Sequence, residues 1–103
     1  MTLREKQSKF VLNVTKLITY IYTCGYEVTF GEAYAIPCLK CGWFGHLLSG
    51  KHPKRLAIDL NLFKDGKYLS ETEDHKKFGE YWKELGGIWG GDFENRDGNH
   101  YEL

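Results

Sequence analysis

Residues 56–63, Leu56-Ala57-Ile58-Asp59-Leu60-Asn61-Leu62-Phe63, alternate large aliphatic side chains with smaller, polar or aromatic ones without a break. A period of two marks a β-strand, because successive side chains leave opposite sides of the backbone. Leu56, Ile58, Leu60 and Leu62 are then expected in the core, while Ala57, Asp59, Asn61 and Phe63 share the other face. A carboxylate in the middle of an apolar strand is costly to bury unless a cation, hydrogen bonds or an opposite charge compensates it. Asp59 therefore either faces a cleft, with small Ala57 and polar Asn61 leaving room beside it, or closes a salt bridge to Arg55 or a lysine.

The flanking segments supply what packs on that strand. Phe10, Val14, Leu17, Ile18 and Ile21 recur at helical spacing over residues 3–23, with Lys9, Asn13, Lys16 and Thr19 on other faces. Gly25 suits the left-handed conformation that follows a helix end. Residues 26–30 read as a strand. From Gly31 to Lys51 periodicity fails, and Pro37, Gly42, Gly45 and Gly50 indicate a long functional loop. Asp65-Gly66 is a hairpin turn signal, with Lys67-Tyr68-Leu69 as the returning strand. A second helix over 72–85 buries Phe78, Tyr81, Trp82 and Leu85, and is capped by Ser70 or Thr72. His75, early in it, is expected to be exposed and without a role. Gly86-Gly87 ends this helix, and a last short strand holds His100 to Leu103.

At 103 residues the chain is long enough for one compact domain, residues 1–103, and too short for two. Fourteen basic residues balance fourteen acidic ones, so no positive field favours nucleic acid. The N-terminus lacks the apolar stretch and cleavage site of a secretory leader. No apolar run approaches the length that spans a bilayer. These features predict a cytoplasmic, monomeric protein.

Two histidines and two aspartates carry the candidate chemistry. His52 stands seven residues before Asp59, and Asp97 three before His100. Two imidazoles and one carboxylate with an open position form a ligand set for catalytic zinc, and a further carboxylate can act as a base toward water. Each residue also has an ordinary explanation. His52 can be a surface histidine and His100 a frayed end, while Asp97-Gly98-Asn99 can simply form a turn. Seven extended residues span roughly 23 Å, so the chain must bend for His52 to meet Asp59. Trp89, Phe93 and Tyr101 predict that the tail is docked rather than frayed.

The segment Arg55-Leu56-Ala57-Ile58-Asp59-Leu60-Asn61-Leu62-Phe63, with His52 ahead of it, resembles the first metal motif of the M15 zinc peptidases. These are the VanY-type D-alanyl-D-alanine carboxypeptidases and their phage L-alanyl-D-glutamate endopeptidase relatives. The segments from Leu85 to Phe93 and from Asp97 to Tyr101 are similar to the second motif as found in phage endolysins. The resemblance runs from about Gly31 to the end of the chain. It implies a small α+β fold of the Hedgehog/DD-peptidase type, with a short antiparallel sheet and flanking helices. By position it makes His52, Asp59 and His100 ligands of Zn2+ and Asp97 the catalytic base. Asn99, Tyr101 and Glu102 are then candidates for fixing the imidazole tautomer. It further implies a peptidoglycan peptidase that cuts the peptide stem of the bacterial wall after release from the host cytoplasm, as a phage or prophage endolysin. L-Ala–D-Glu endopeptidase activity is favoured, with D,D-carboxypeptidase activity as the alternative. Two positions depart from the pattern. Gly50 stands where relatives have serine, and Ala35 where they have an arginine that helps hold substrate; Arg55, Lys51 or Lys54 could substitute for the latter.

Three cysteines, Cys24, Cys38 and Cys41, do not suggest a disulfide scaffold. The spacing Cys38-x2-Cys41-x4-His46 is compatible with a second, structural zinc, with Cys24 as fourth ligand. A non-enzymatic zinc-binding module organised by Cys38 and Cys41 is therefore a rival to the enzyme, and unliganded thiols in a core or loop are the plainer reading.

Overall fold

The computed structural model describes residues 1–31 and 55–103. The candidates Ala35, Cys38, Cys41, His46, Gly50, Lys51, His52 and Lys54 lie outside the described residues. In chain order the elements are helix α1 (Leu3–Thr23), strands β1 (Glu27–Phe30), β2 (Ala57–Lys64) and β3 (Lys67–Leu69), and a 3-10 turn (Thr72–His75). Helix α2 (Lys76–Glu84), strand β4 (Ile88–Trp89), a second 3-10 turn (Gly90–Asp92) and strand β5 (His100–Glu102) complete the set. The architecture is α+β.

Helix α1 starts where Thr2 and Glu5 cap one another. The Thr2 N–H donates to Glu5 Oε1 at 3.0 Å and the Glu5 N–H to Thr2 Oγ1 at 3.1 Å, which satisfies two amides that the first turn leaves open. Gly25, with φ of 89°, follows its end. Strand β2 is the hub of an antiparallel sheet ordered β1-β2-β5-β4, with β3 also paired to β2. β1 runs along one edge, from Glu27 opposite Phe63 to Phe30 opposite Leu60. β3 and β5 divide the other edge: Leu62 to Lys64 face Leu69 to Lys67, while Ala57, Ile58 and Asp59 face Glu102, Tyr101 and His100. Asp65 and Gly66 take φ of 52° and 78°, the left-handed pair that a two-residue hairpin requires.

The alternation read in β2 sets the layers. Ile58, Leu60 and Leu62 are buried with Phe10, Leu17 and Ile21 of α1, Phe78 and Trp82 of α2, and Trp89 and Tyr101 of the last strands. Trp82 lies at the centre. Its ring meets Phe10 and Tyr101 edge-on, with centroids 5.8 and 6.0 Å away, and its indole N–H donates to the Glu102 carbonyl at 2.8 Å. That bond ties α2 to the strand that carries His100.

Three expectations need correction. Asn13, assigned to an outer face, is buried among the inward residues of α1, because it lies three residues after Phe10 and four before Leu17 on the same stripe. The second helix does not start at residue 72. Glu71 and Asp74 form the entry, with the Glu71 N–H donating to Asp74 Oδ2 at 3.0 Å, and a 3-10 turn precedes α2 proper at Lys76. That tighter turn rotates His75 inward. It is 3% exposed, not solvent-facing, and its Nδ1 lies 2.8 Å from the Tyr101 hydroxyl. Burial pushes the His75 imidazole down to about 4, so at neutral pH it is uncharged and shares a hydrogen bond with the Tyr101 hydroxyl.

Candidate active site

The face of the sheet opposite the core brings together residues that the sequence separates by about forty positions. Asp59 and His100 are direct cross-strand partners on β2 and β5, so their side chains leave the sheet on the same side. His100 Nδ1 lies 3.1 Å from Asp59 Oδ1, with the two side chains 8% and 15% exposed. Two residues on, and therefore on the same face, Glu102 places Oε1 2.9 Å from His100 Nε2. Each ring nitrogen thus has its own carboxylate.

Asp97 reaches this group from the turn ahead of β5. Ligand atoms of Asp59, Asp97 and His100 all lie within 4.8 Å of one another, with Asp97 exposed. The turn is held from several sides. The Asp97 N–H donates to the Gly90 carbonyl at 2.9 Å, the His100 N–H to the Asp97 carbonyl at 3.1 Å, and the Leu60 N–H to the Asn99 carbonyl at 2.8 Å. The Trp89 indole donates to the Gly98 carbonyl at 2.7 Å. Gly90 is required by contact. A Cβ there would stand 2.1 Å from the Asp97 carbonyl oxygen and 2.8 Å from His100 Cβ. Gly31 closes the other flank, where its N–H donates to the Asp59 carbonyl at 2.8 Å.

Burial works against charge on His100, but the hydrogen bonds and charges of Asp59 and Glu102 outweigh it and hold its pKa above the ordinary value. A cation at Nδ1 competes with that proton. The donor set fits zinc in chemistry: imidazole nitrogen and carboxylate oxygen are zinc ligands, and Asp59, Asp97 and His100 offer them within 4.8 Å of one another.

Residues 47–103 match the peptidase M15 family described as D-alanyl-D-alanine carboxypeptidase. The chain belongs to the M15 peptidases. In fold this M15 chain is similar to the L-Ala D-Glu endopeptidase ChiX of Serratia marcescens. The TM-score is 0.64 at 18% identity, over 97% of this chain and 84% of that one. No curated protein matches it. The stretch that matches the M15 model spans His52, Asp59, Asp97 and His100 together.

The remaining candidates of this M15 chain fall elsewhere. Arg55 lies in the turn two residues before β2, with φ of 59°, and lines an apolar groove of about 500 Å³ with Phe10, Val14, Ile18 and Phe30. Cys24 is a free thiol at the C-terminal cap of α1, next to Lys77, whose pKa is raised chiefly by a hydrogen bond with it. Among the three supporting candidates, only Glu102 bonds the imidazole with its side chain. Tyr101 points to the opposite, buried face and bonds His75 instead, and Asn99 supports β2 through its carbonyl. The alternation of β5 held that distinction, since His100 and Glu102 share a face and Tyr101 does not. Phe93 was read from the sequence as a residue that docks the tail, not as part of the site. Its ring centroid lies 5.5 Å from that of His100 and it is 36% exposed, so it forms an apolar wall beside the ring.

Proposed function

We propose that this M15 chain is a zinc-dependent peptidoglycan peptidase that cuts the peptide stem of the bacterial wall, as an L-Ala–D-Glu endopeptidase of the phage or prophage endolysin kind. The convergence of Asp59, Asp97 and His100 within 4.8 Å carries the reading. Asp59 and His100 would hold the ion with His52, which lies outside the described residues. Zinc, when bound, supplies a Lewis acid that polarises the scissile carbonyl and acidifies water.

The chain's own groups supply the rest. Asp97 is exposed, next to the ligand pair and fixed by the Gly90 and Trp89 contacts. It takes a proton from the attacking water as oxygen bonds to the carbonyl carbon, and delivers it to the amine nitrogen as the carbon–nitrogen bond breaks. Phe93 excludes water from one side of the ring. The rigid β2–β5 ladder keeps Asp59 and His100 in place before substrate arrives, which lowers the reorganisation needed in the transition state.

D,D-carboxypeptidase activity is the second reading, favoured by the description of the matching family. Mass analysis of fragments from purified peptidoglycan separates the two. Endopeptidase action releases the stem cut between L-Ala and D-Glu; carboxypeptidase action releases free D-Ala. Intact stems after prolonged incubation with zinc-loaded protein would rule out both.

A further inference from the structure

The two carboxylates on His100 are not equivalent. Asp59, at Nδ1, belongs to the cluster with Asp97; Glu102, at Nε2, lies on the other side of the ring and outside that cluster. From this asymmetry we infer that Glu102 is a positioning residue. It accepts the Nε2–H of His100 and so leaves Nδ1 as the nitrogen that donates to the metal. The inference rests on the metal reading given above and assigns to Glu102 a role that reading does not need.

Three features make the contact more than a surface ion pair. The Glu102 side chain is 14% exposed and that of His100 8%, so water competes weakly for the bond. The Glu102 backbone is fixed on both edges, by pairing with Ala57 and with Ile88, and its carbonyl accepts the Trp82 indole N–H. Opposite Glu102 in the ladder stands Ala57, so its direct cross-strand neighbour on that face is a small side chain. Imidazole has one N–H when neutral, and whichever nitrogen keeps it cannot ligate. A carboxylate at Nε2 decides that choice and also stops the ring from turning.

The test measures zinc affinity by competition with a chromophoric chelator, together with the His100 tautomer by nitrogen-15 NMR of the zinc-loaded protein. Wild type should show a protonated Nε2. Glu102→Ala should bind zinc roughly ten- to a hundredfold more weakly. Glu102→Gln, whose side-chain carbonyl still accepts the bond, should stay closer to wild type than to the alanine variant. Should Glu102→Ala fail to fold, the glutamine variant and the wild-type spectrum still decide. Equal zinc affinity in wild type and Glu102→Ala, or a wild-type ring protonated at Nδ1, overturns the inference while leaving the metal reading intact. A wild type that takes up no zinc overturns both.

Discussion

Acid should weaken this fold through one buried side chain. His75 is 3% exposed, bonded to the Tyr101 hydroxyl, and held at about 4 against an ordinary 6.5 because burial penalises its charge. Above pH 6.5 the ring is neutral whether the chain is folded or unfolded, and it adds no pH dependence. As pH falls below 6.5 the unfolded chain takes up a proton that the folded chain refuses, so stability declines at about 1.4 kcal/mol per unit. The decline levels off below about 4, where the folded form also protonates. Across that window the loss amounts to roughly 3 kcal/mol, a large share of the 5–15 kcal/mol typical of a domain. His75→Gln keeps a hydrogen-bonding group for Tyr101 but cannot titrate. Urea unfolding of both proteins at intervals from pH 7 to pH 4 isolates the effect, since the other groups cancel in the difference. The wild type should lose about 3 kcal/mol relative to the variant. Parallel stability curves would refute the burial argument.

Other outcomes follow from single contacts. Asp97→Asn should abolish hydrolysis while zinc affinity changes little, because the amide cannot take a proton; activity and chelator competition on the same sample check this. Gly90→Ala should cost about 1–3 kcal/mol in thermal or urea unfolding and lower activity more than tenfold, since the added methyl displaces the Asp97 carbonyl. Asn13→Leu should stabilise the fold by about 1 kcal/mol in urea unfolding, because Asn13 Nδ2 is buried without a hydrogen-bond partner among the described residues.

Much of the architecture was legible because the pattern in β2 is strict. Leu56, just before β2, and three aliphatics within it on one face, with Asp59 on the other, specify both the sheet and the side on which the carboxylate lies. The Asp65-Gly66 turn then fixes β3. Helix α1 was legible in extent but not in detail. An amide at position 13 reads as polar, yet its angular position on the helix puts it inward. His75 was misread for a similar reason, since a single 3-10 turn changes the angle per residue and brings a ring from solvent into the core. Pairing between β2 and β5 could not be read from spacing, because no local rule links residues about forty positions apart. The family resemblance supplied the grouping of Asp59, Asp97 and His100, and the ladder register explains it. Among the described residues, the separate parts played by Glu102 and Tyr101 needed the face assignment of β5 together with the contact to His75.

Zinc titration into chelator-stripped protein, with stem-peptide hydrolysis followed at each addition, tests the central claim most directly. Hydrolysis should be absent at the start, rise with added zinc, and remain absent throughout for Asp59→Ala and His100→Ala. Full activity in the stripped protein, or undiminished activity in either variant, would contradict a zinc-dependent peptidase built on the Asp59–His100 pair.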